Sequence, residues 1–127
     1  MISKVGQIML YVNNQEESIK FWTEKVGFSV ISEEGDGQGM RWIEVAPSTN
    51  AETSIVLHDK EQVAKMSPGI NLGTPSLMFY TEENLEHLYN DFKEKQITVG
   101  ELITIPSGRV FNFADDEDNY FAILEKK

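Results

Sequence analysis

The chain contains an internal repeat, which constrains its fold more than any other feature. The segment Gln7–Val12 reads QIMLYV, and residues 76–81 read SLMFYT. Each copy leads into an acidic, amphipathic segment with helical spacing and then into alternating strands. A strand, a helix and three further strands, present twice, predict an α+β protein of two tandem β-α-β-β-β modules.

Turn-forming residues place the module boundaries at 1–58 and 76–127, with a linker over 59–75 that contains Pro-Gly and Gly-Thr-Pro sequences. The first helix is predicted over residues 15–26, with Asn14 as its N-cap and Gly27 at its end. Thr81 is the predicted cap of the second helix. In the second module we predict strands over 98–106, 109–114 and 120–125.

The composition excludes several classes of function. The net charge is −10, and an acidic surface repels the phosphates that dominate nucleic-acid affinity. The apolar runs are strand-sized, shorter than the roughly 20 residues of a membrane span. The chain has no cysteine, so disulfides and thiolate sites are excluded. We therefore expect a cytoplasmic protein that binds neither nucleic acid nor membrane.

Strand alternation predicts which side chains face away from the helices. In the first strand Ile8, Leu10 and Val12 form the aliphatic face and pack on the helix. The opposite face of the first module then holds Gln7, Met9, Tyr11, Trp42, Glu44, Val56 and His58. The second module contributes Ser76, Met78, Tyr80, Phe121 and Ile123 to a corresponding face. The facing of the strand from Arg109 to Ala114 stays open, with either Arg109 and Phe111 or Val110 and Asn112 on this side.

This face is aromatic, rich in methionine and lightly polar. Such a surface suits a flat or partly apolar organic ligand. It is equally typical of a face filled by its own side chains or buried in a subunit interface.

Two local motifs carry a resemblance to a known family. Residues 17–28, ESIKFWTEKVGF, and residues 113–120, FADDEDNY, are similar to the first helix and the last turn of the vicinal oxygen chelate superfamily. This family contains glyoxalase I, the bleomycin resistance proteins and extradiol dioxygenases. In the turn, Glu117 and Asn119 stand where the family usually has Pro and Gly, and Asn119 is expected to take the positive φ. The resemblance implies a curved mixed sheet, or half-barrel, around a cleft between the modules, with the helices outside.

The resemblance also implies where a metal would bind. Metal-dependent members use a His or Glu at positions that correspond to Gln7, Val56, Ser76 and Ile123, and none of these is a His or a carboxylate. We therefore expect no metal ligands and no cofactor. His58 and Glu125 are a weaker candidate for a displaced site, but solvent-exposed strand ends are the favoured interpretation. His87 is predicted to lie on the outer surface of the second helix.

The leading hypothesis is a glyoxalase- or bleomycin-resistance-like protein that binds a small, partly aromatic organic molecule without metal, as a homodimer. One alternative is a lyase, isomerase or dioxygenase with Zn, Ni, Mn or Fe in an atypical site. A second is a non-catalytic dimeric interaction protein. No catalytic residue is identifiable, and the cleft can form within one chain or between swapped chains. The predicted ligand-binding residues are Gln7, Met9, Tyr11, Trp42, Glu44, Val56, His58, Ser76, Met78, Tyr80, Arg109 and Ile123.

Overall fold

A computed structural model describes residues 1–126 of the chain. These residues form two compact units, Met1–Thr74 and a second that begins at Pro75. Each unit contains one four-stranded mixed sheet. The predicted α+β class and the repeated order β-α-β-β-β are confirmed.

The first and last strands of the first unit form a parallel pair. Its sheet has the order β1-β4-β3-β2, in which β1 is parallel to β4 and the other neighbours are antiparallel. A parallel pair requires a crossover connection, so the chain must pass over one face of the sheet between β1 and β4. The elements are β1 (Gln7–Val12), α1 (Gln15–Lys20), β2 (Ser29–Gly35), β3 (Arg41–Ala46), β4 (Ser54–Asp59) and α2 (Lys60–Met66).

The second unit repeats this topology. Its sheet has the order β5-β8-β7-β6, with β5 parallel to β8. The elements are β5 (Met78–Thr81), α3 (Leu85–Glu94), β6 (Ile103–Ile105), β7 (Gly108–Ala114) and β8 (Tyr120–Glu125).

The first helix begins where predicted and changes its winding halfway along. The Asn14 side chain accepts a hydrogen bond from the Glu17 amide at 3.1 Å, as an N-cap does. After Lys20 the chain continues as a π-helical segment, Phe21–Lys25. The Thr23 hydroxyl donates to the Ile19 carbonyl at 2.6 Å, so it competes with the α-helical backbone bond to that oxygen.

The second helix begins later than its predicted cap. Asn84, not Thr81, is the N-cap, and its side chain accepts from the His87 amide at 3.1 Å. The Thr81 hydroxyl instead accepts from the Glu83 amide at 3.2 Å, which makes a turn that precedes the helix. His87 is exposed, as predicted.

Three other segments differ from expectation or extend it. The strand predicted over residues 98–106 is confined to β6. Before it, Val99 forms only an isolated antiparallel bridge with Phe113 of β7, next to which the Gly100 amide donates to the Asn112 carbonyl at 2.8 Å. In the last turn the positive φ, 61°, belongs to Asp118, not Asn119. The segment 59–75 contains α2, whose first amides are capped by the Asp59 carboxylate.

The sides of β1 follow the predicted alternation. Leu10 and Val12 are buried, whereas Met9 is 37% exposed. Gln15 links α1 to the sheet, since its side-chain amide donates to the Arg41 carbonyl of β3 at 2.6 Å and to the Leu57 carbonyl of β4 at 3.1 Å. The completely buried Trp22 lies at the centre of this core.

The core of the second unit is aromatic and corrects two predicted facings. Phe92 of α3 makes edge-to-face contacts with Phe111 and Phe113, at ring-centroid distances of 5.7 and 5.3 Å. Phe111 pairs directly with Ile123, and Phe113 with Phe121. Phe121 and Ile123 therefore face the helix.

The prediction that Phe121 and Ile123 share a face with Met78 and Tyr80 is therefore wrong. The strand left open is now assigned, since Val110 and Asn112 pair with Leu124 and Ala122 on the Met78 side. Arg109 consequently lies on the helix side, next to Glu125. A shift of one residue in the assumed register of β8 moves every side chain of that strand to the opposite face, and this shift explains why Phe121 and Ile123 were assigned to the wrong face.

Among residues 1–126, no helix is long and apolar enough to cross a membrane.

The alternation in β1 is testable with neighbouring substitutions. Leu10→Ala empties a completely packed position and is expected to lower the free energy of unfolding by about 2–5 kcal/mol. Met9→Ala, its matched control one residue away on the exposed face, is expected to lower it by less than about 1 kcal/mol. Urea denaturation followed by circular dichroism measures both. Equal losses would contradict the assigned faces.

Candidate functional site

The candidate functional site is a pocket of about 160 Å³ on the sheet face of the first unit that lies opposite the buried aliphatic side chains. Six of the residues predicted from sequence line it together: Gln7, Met9, Trp42, Glu44, Val56 and His58.

Strand register brings these side chains together. Met9 of β1 pairs with Val56 of β4, and Val56 in turn pairs with Glu44 of β3. One step along the same face, His58 pairs with Tyr11 on one side and with Trp42 on the other. Because paired residues in adjacent strands project to the same face, three strands contribute to one lining.

Glu44 is the polar centre of the pocket. Its Oε2 accepts hydrogen bonds from the Ser54 hydroxyl and, at 3.3 Å, from the Gln7 amide. Its Oε1 accepts from the Ser32 hydroxyl at 3.1 Å. The bond from Ser54 has the largest effect and lowers the pKa of Glu44 below its ordinary value of 4.5, although burial opposes this. Glu44 is therefore a carboxylate at neutral pH, held in one orientation by three donors.

His58 forms an aromatic wall beside this carboxylate. Its ring is stacked with Tyr11 at a centroid distance of 5.8 Å, and Trp42 lies 6.2 Å away on the same face. Burial lowers the pKa of His58 below its ordinary value of 6.5, so the ring is neutral at pH 7. Nε2 lies 3.2 Å from the Met9 sulfur, and within residues 1–126 the buried Nδ1 has no hydrogen-bond partner.

Sequence reasoning missed two lining residues, Ser32 and Glu34 of β2. They pair with Glu44 and Trp42 respectively, so they share the pocket face. The pairing shifts between Val30 and Ser32, where the strand carries an irregularity. A bulge of this kind interrupts the alternation of inward- and outward-facing side chains along the strand. The one sequence signal for the contact was that Ser32 and Glu44, a hydroxyl and a carboxylate, stand in adjacent predicted strands.

Tyr11, the other predicted residue of the first unit, is not part of the pocket lining but stacks with His58. The remaining predicted residues belong to the second unit. Met78 and Tyr80 lie on one face of its sheet, 49% and 63% exposed, and Ser76 precedes β5. Arg109 lies in a different concavity of about 280 Å³, with Thr104, Ser107 and Lys126 in its lining. Arg109 is already paired there, so this concavity is the weaker candidate.

Glu125 explains the position of Arg109. Its carboxylate is almost buried and accepts from the Leu85 amide at 3.1 Å, which anchors the first turn of α3. Arg109 donates to the other carboxylate oxygen at 3.3 Å. The expectation that His58 and Glu125 are solvent-exposed strand ends is wrong, since His58 lines the pocket and Glu125 stabilises a helix start and pairs with Arg109.

The side chains at the metal positions implied by the family do not suit a metal ion. Val56 carries no donor atom, and the residue of β8 that pairs with Met78, as Val56 pairs with Met9, is Ala122. A catalytic divalent ion generally needs about three protein donors. Within the described part of the chain, no cluster of three or more His, Asp or Glu side chains could hold one. Glu44, one of the two carboxylates of the pocket, already accepts from three donors.

The two β-α-β-β-β modules, each with one four-stranded mixed sheet, define a fold class shared with known proteins. The model of the Glyoxalase/Bleomycin resistance protein/Dioxygenase superfamily matches residues 4–123. The chain belongs to this superfamily, whose members have the vicinal oxygen chelate fold.

Individual relatives support this assignment. The uncharacterized protein YetH of Bacillus subtilis (strain 168) is 32% identical over 126 residues, which are 98% of this chain and 100% of YetH. TnmS3, an antibiotic binding protein from Streptomyces sp. CB03234, is 28% identical with a TM-score of 0.82, over 99% of this chain and 98% of its own. A glyoxalase/bleomycin resistance protein from Streptomyces sp. CB03234 is 26% identical with a TM-score of 0.74, over 95% and 99% of the two chains.

The hydrogen bonds to Glu44 predict a pH-dependent contribution to stability. A carboxylate with a lowered pKa stabilises the fold above the pKa of the unfolded chain, near 4.5, and this contribution is lost as the pH falls through the folded pKa. At pH 7, Glu44→Gln is expected to lower the free energy of unfolding by about 1–2 kcal/mol. The difference from the wild type should shrink below about pH 4.5.

Urea denaturation at pH 7, 5 and 3.5 measures this dependence. Glu52→Gln is the matched control, because it removes the same charge from an exposed position of the first unit. A constant difference between wild type and E44Q across this range would contradict the assigned role of Glu44.

Proposed function

We propose that this protein binds a small, partly aromatic organic molecule in the pocket of the first unit and needs no metal ion to do so. The observation that carries the proposal is the aromatic wall of Tyr11, His58 and Trp42 next to the fixed Glu44 carboxylate. Flat apolar surface with a few oriented polar groups is the usual lining of a small-molecule site.

The size of the pocket limits which part of a ligand enters it. An apolar cavity of about 150 Å³ accepts benzene in an engineered protein. The pocket here is of similar volume, about 160 Å³. It therefore takes one ring with a short substituent, and the rest of a larger molecule stays outside this pocket.

Similarity to TnmS3 supports binding as the function, since that protein is described as antibiotic binding. The chemistry of the lining agrees. The lowered pKa of Glu44 makes it a weak proton acceptor at neutral pH, and its three hydrogen bonds leave little freedom to move toward a substrate. Sequestration requires only affinity. Homodimer formation, which the family resemblance implies, and a cytoplasmic location, which the sequence favours, stay predictions.

The two tryptophans make ligand binding measurable. Trp42 lines the pocket, whereas Trp22 is completely buried in the core. We expect at least one member of a set of mono- and bicyclic aromatic fragments to raise Tm and to change the fluorescence of Trp42. Trp42→Ala is expected to weaken binding about tenfold, since it removes one stacking partner worth about 1 kcal/mol or more.

Tyr120→Ala is the matched control, because Tyr120 is an aromatic side chain of the second unit that is 57% exposed. Isothermal calorimetry measures both variants with the same fragment. If no fragment raises Tm, or if W42A binds as tightly as Y120A, the proposed pocket is wrong.

Metal independence is tested separately. Protein purified without a tag and dialysed against EDTA is expected to bind the same fragment with unchanged affinity. Metal analysis before dialysis should find less than about 0.1 equivalent per chain, because the lining offers too few donors for a tight site. One equivalent of Zn, Ni, Mn or Fe per chain would instead favour the metal-dependent lyase, isomerase or dioxygenase alternative.

A further inference from the structure

The charged groups that line the pocket are both negative. They are Glu34 and Glu44, and among the described residues neither Lys nor Arg lines this pocket. His58, the third titratable side chain among the described lining residues, is neutral at pH 7 because burial lowers its pKa. The pocket therefore has a net negative charge that no side chain of its own compensates.

The arginine of the first unit is held away from the pocket. Arg41 is adjacent to Trp42 in β3, but alternation points it to the opposite face of the sheet. There it pairs with Glu16 at 2.6 Å and with Glu33 at 2.9 Å, which raises its pKa. Arg41 is thus unable to neutralise Glu44 without losing two ion pairs.

Glu44 retains capacity for a further donor. A carboxylate offers about four acceptor sites, and Gln7, Ser32 and Ser54 occupy three of them. All three present donors are neutral side chains, so they orient the negative charge without cancelling it. A positively charged N–H donor from a ligand would form a charge-assisted hydrogen bond, the strongest kind available at this site.

The aromatic wall favours the same kind of ligand. The faces of Trp and Tyr rings carry negative electrostatic potential and attract cations. Trp42 pairs with Glu34 across the sheet and with His58 on its other side, so the ring lies between one carboxylate and the neutral imidazole. Carboxylates, ring faces and the Met9 thioether are all electron-rich, and an anionic ligand would find no partner among them.

We propose that the pocket selects a protonated amine or amidine carried on an aromatic ring, with its N–H groups donating to Glu44 and its ring stacked on Trp42 and His58. This inference rests on the proposed function, since it names the ligand class of the same pocket. Glu44 is the residue that determines charge specificity, and the aromatic residues supply affinity for the ring.

Three probes of nearly equal size and different charge test the proposal on the wild-type protein. They are benzylamine, benzyl alcohol and benzoate, titrated at pH 7 and low ionic strength with ligand-observed NMR. Benzylamine is expected to bind at least about tenfold more tightly than benzyl alcohol, as one charge-assisted hydrogen bond would produce. Benzoate is expected to show no binding, and the preference for benzylamine should shrink as salt is added.

Substitutions assign the preference to Glu44. In Glu44→Gln, the affinity for benzylamine is expected to fall about tenfold and that for benzyl alcohol to change less than about twofold. In Glu52→Gln, which removes the same charge outside the pocket, neither affinity should change. Retained binding of benzyl alcohol by E44Q reports an intact pocket, and the wild-type ranking stands as a test whether or not E44Q folds.

The outcomes separate the two proposals. If benzyl alcohol or benzoate binds the wild type as tightly as benzylamine, charge selection is overturned while aromatic binding stands. If E52Q loses the preference as E44Q does, the preference comes from net charge and the role of Glu44 is overturned. If none of the three probes binds, the pocket accepts no ring of this size, and both the selection and the proposed function are wrong.

Discussion

The parallel pairing between the first and last strands of each module is the constraint on which the rest of the structure depends. β1 pairs with β4, and β5 with β8. A parallel pair cannot be closed by a tight turn, so a helix and two strands lie between its members. The helix takes the aliphatic face, where Leu10 and Val12 are buried. On the other face of the sheet, packing against the helix does not restrict which residues occur. The candidate site forms on that face.

The two modules share this scaffold and differ in what they place on the free face. By strand register, Glu44 of the first unit corresponds to Asn112 of the second, since they pair with Val56 and Ala122. Trp42 and His58 likewise correspond to Val110 and Leu124, which also pair with each other. In the described part of the second unit, the corresponding positions therefore hold neither the carboxylate nor the Trp and His of the aromatic wall. The two units thus share a topology, and the residues on one sheet face of the first unit make the pocket.

Sequence alone predicted most where one side of a strand is apolar and the other is not. In β1 the alternation of Ile8, Leu10 and Val12 with Gln7 and Met9 determined the facing, and the pocket residues of the first unit followed from it. In β8 the run from Tyr120 to Leu124 is apolar at every position, so it contains no alternation to read, and Ile123 was assigned to the wrong face. Ser32 and Glu34 were missed because the pairing of β2 is irregular. The contact of Glu125 with the Leu85 amide joins residues far apart in sequence, which no local pattern reveals.

The state of His58 links the absence of metal donors to the proposed ligand class. Burial among Tyr11, Trp42 and Met9 lowers the pKa of the His58 imidazole, so the ring is neutral at pH 7. Among residues 1–126 the buried Nδ1 has no hydrogen-bond partner, and Nε2 lies against the Met9 sulfur, so the ring acts as a stacking surface. With the imidazole neutral, the charge that the described residues give the pocket comes from Glu34 and Glu44. One oriented carboxylate beside aromatic ring faces provides too few ligands for a divalent ion. The same arrangement is complementary in charge to an organic cation.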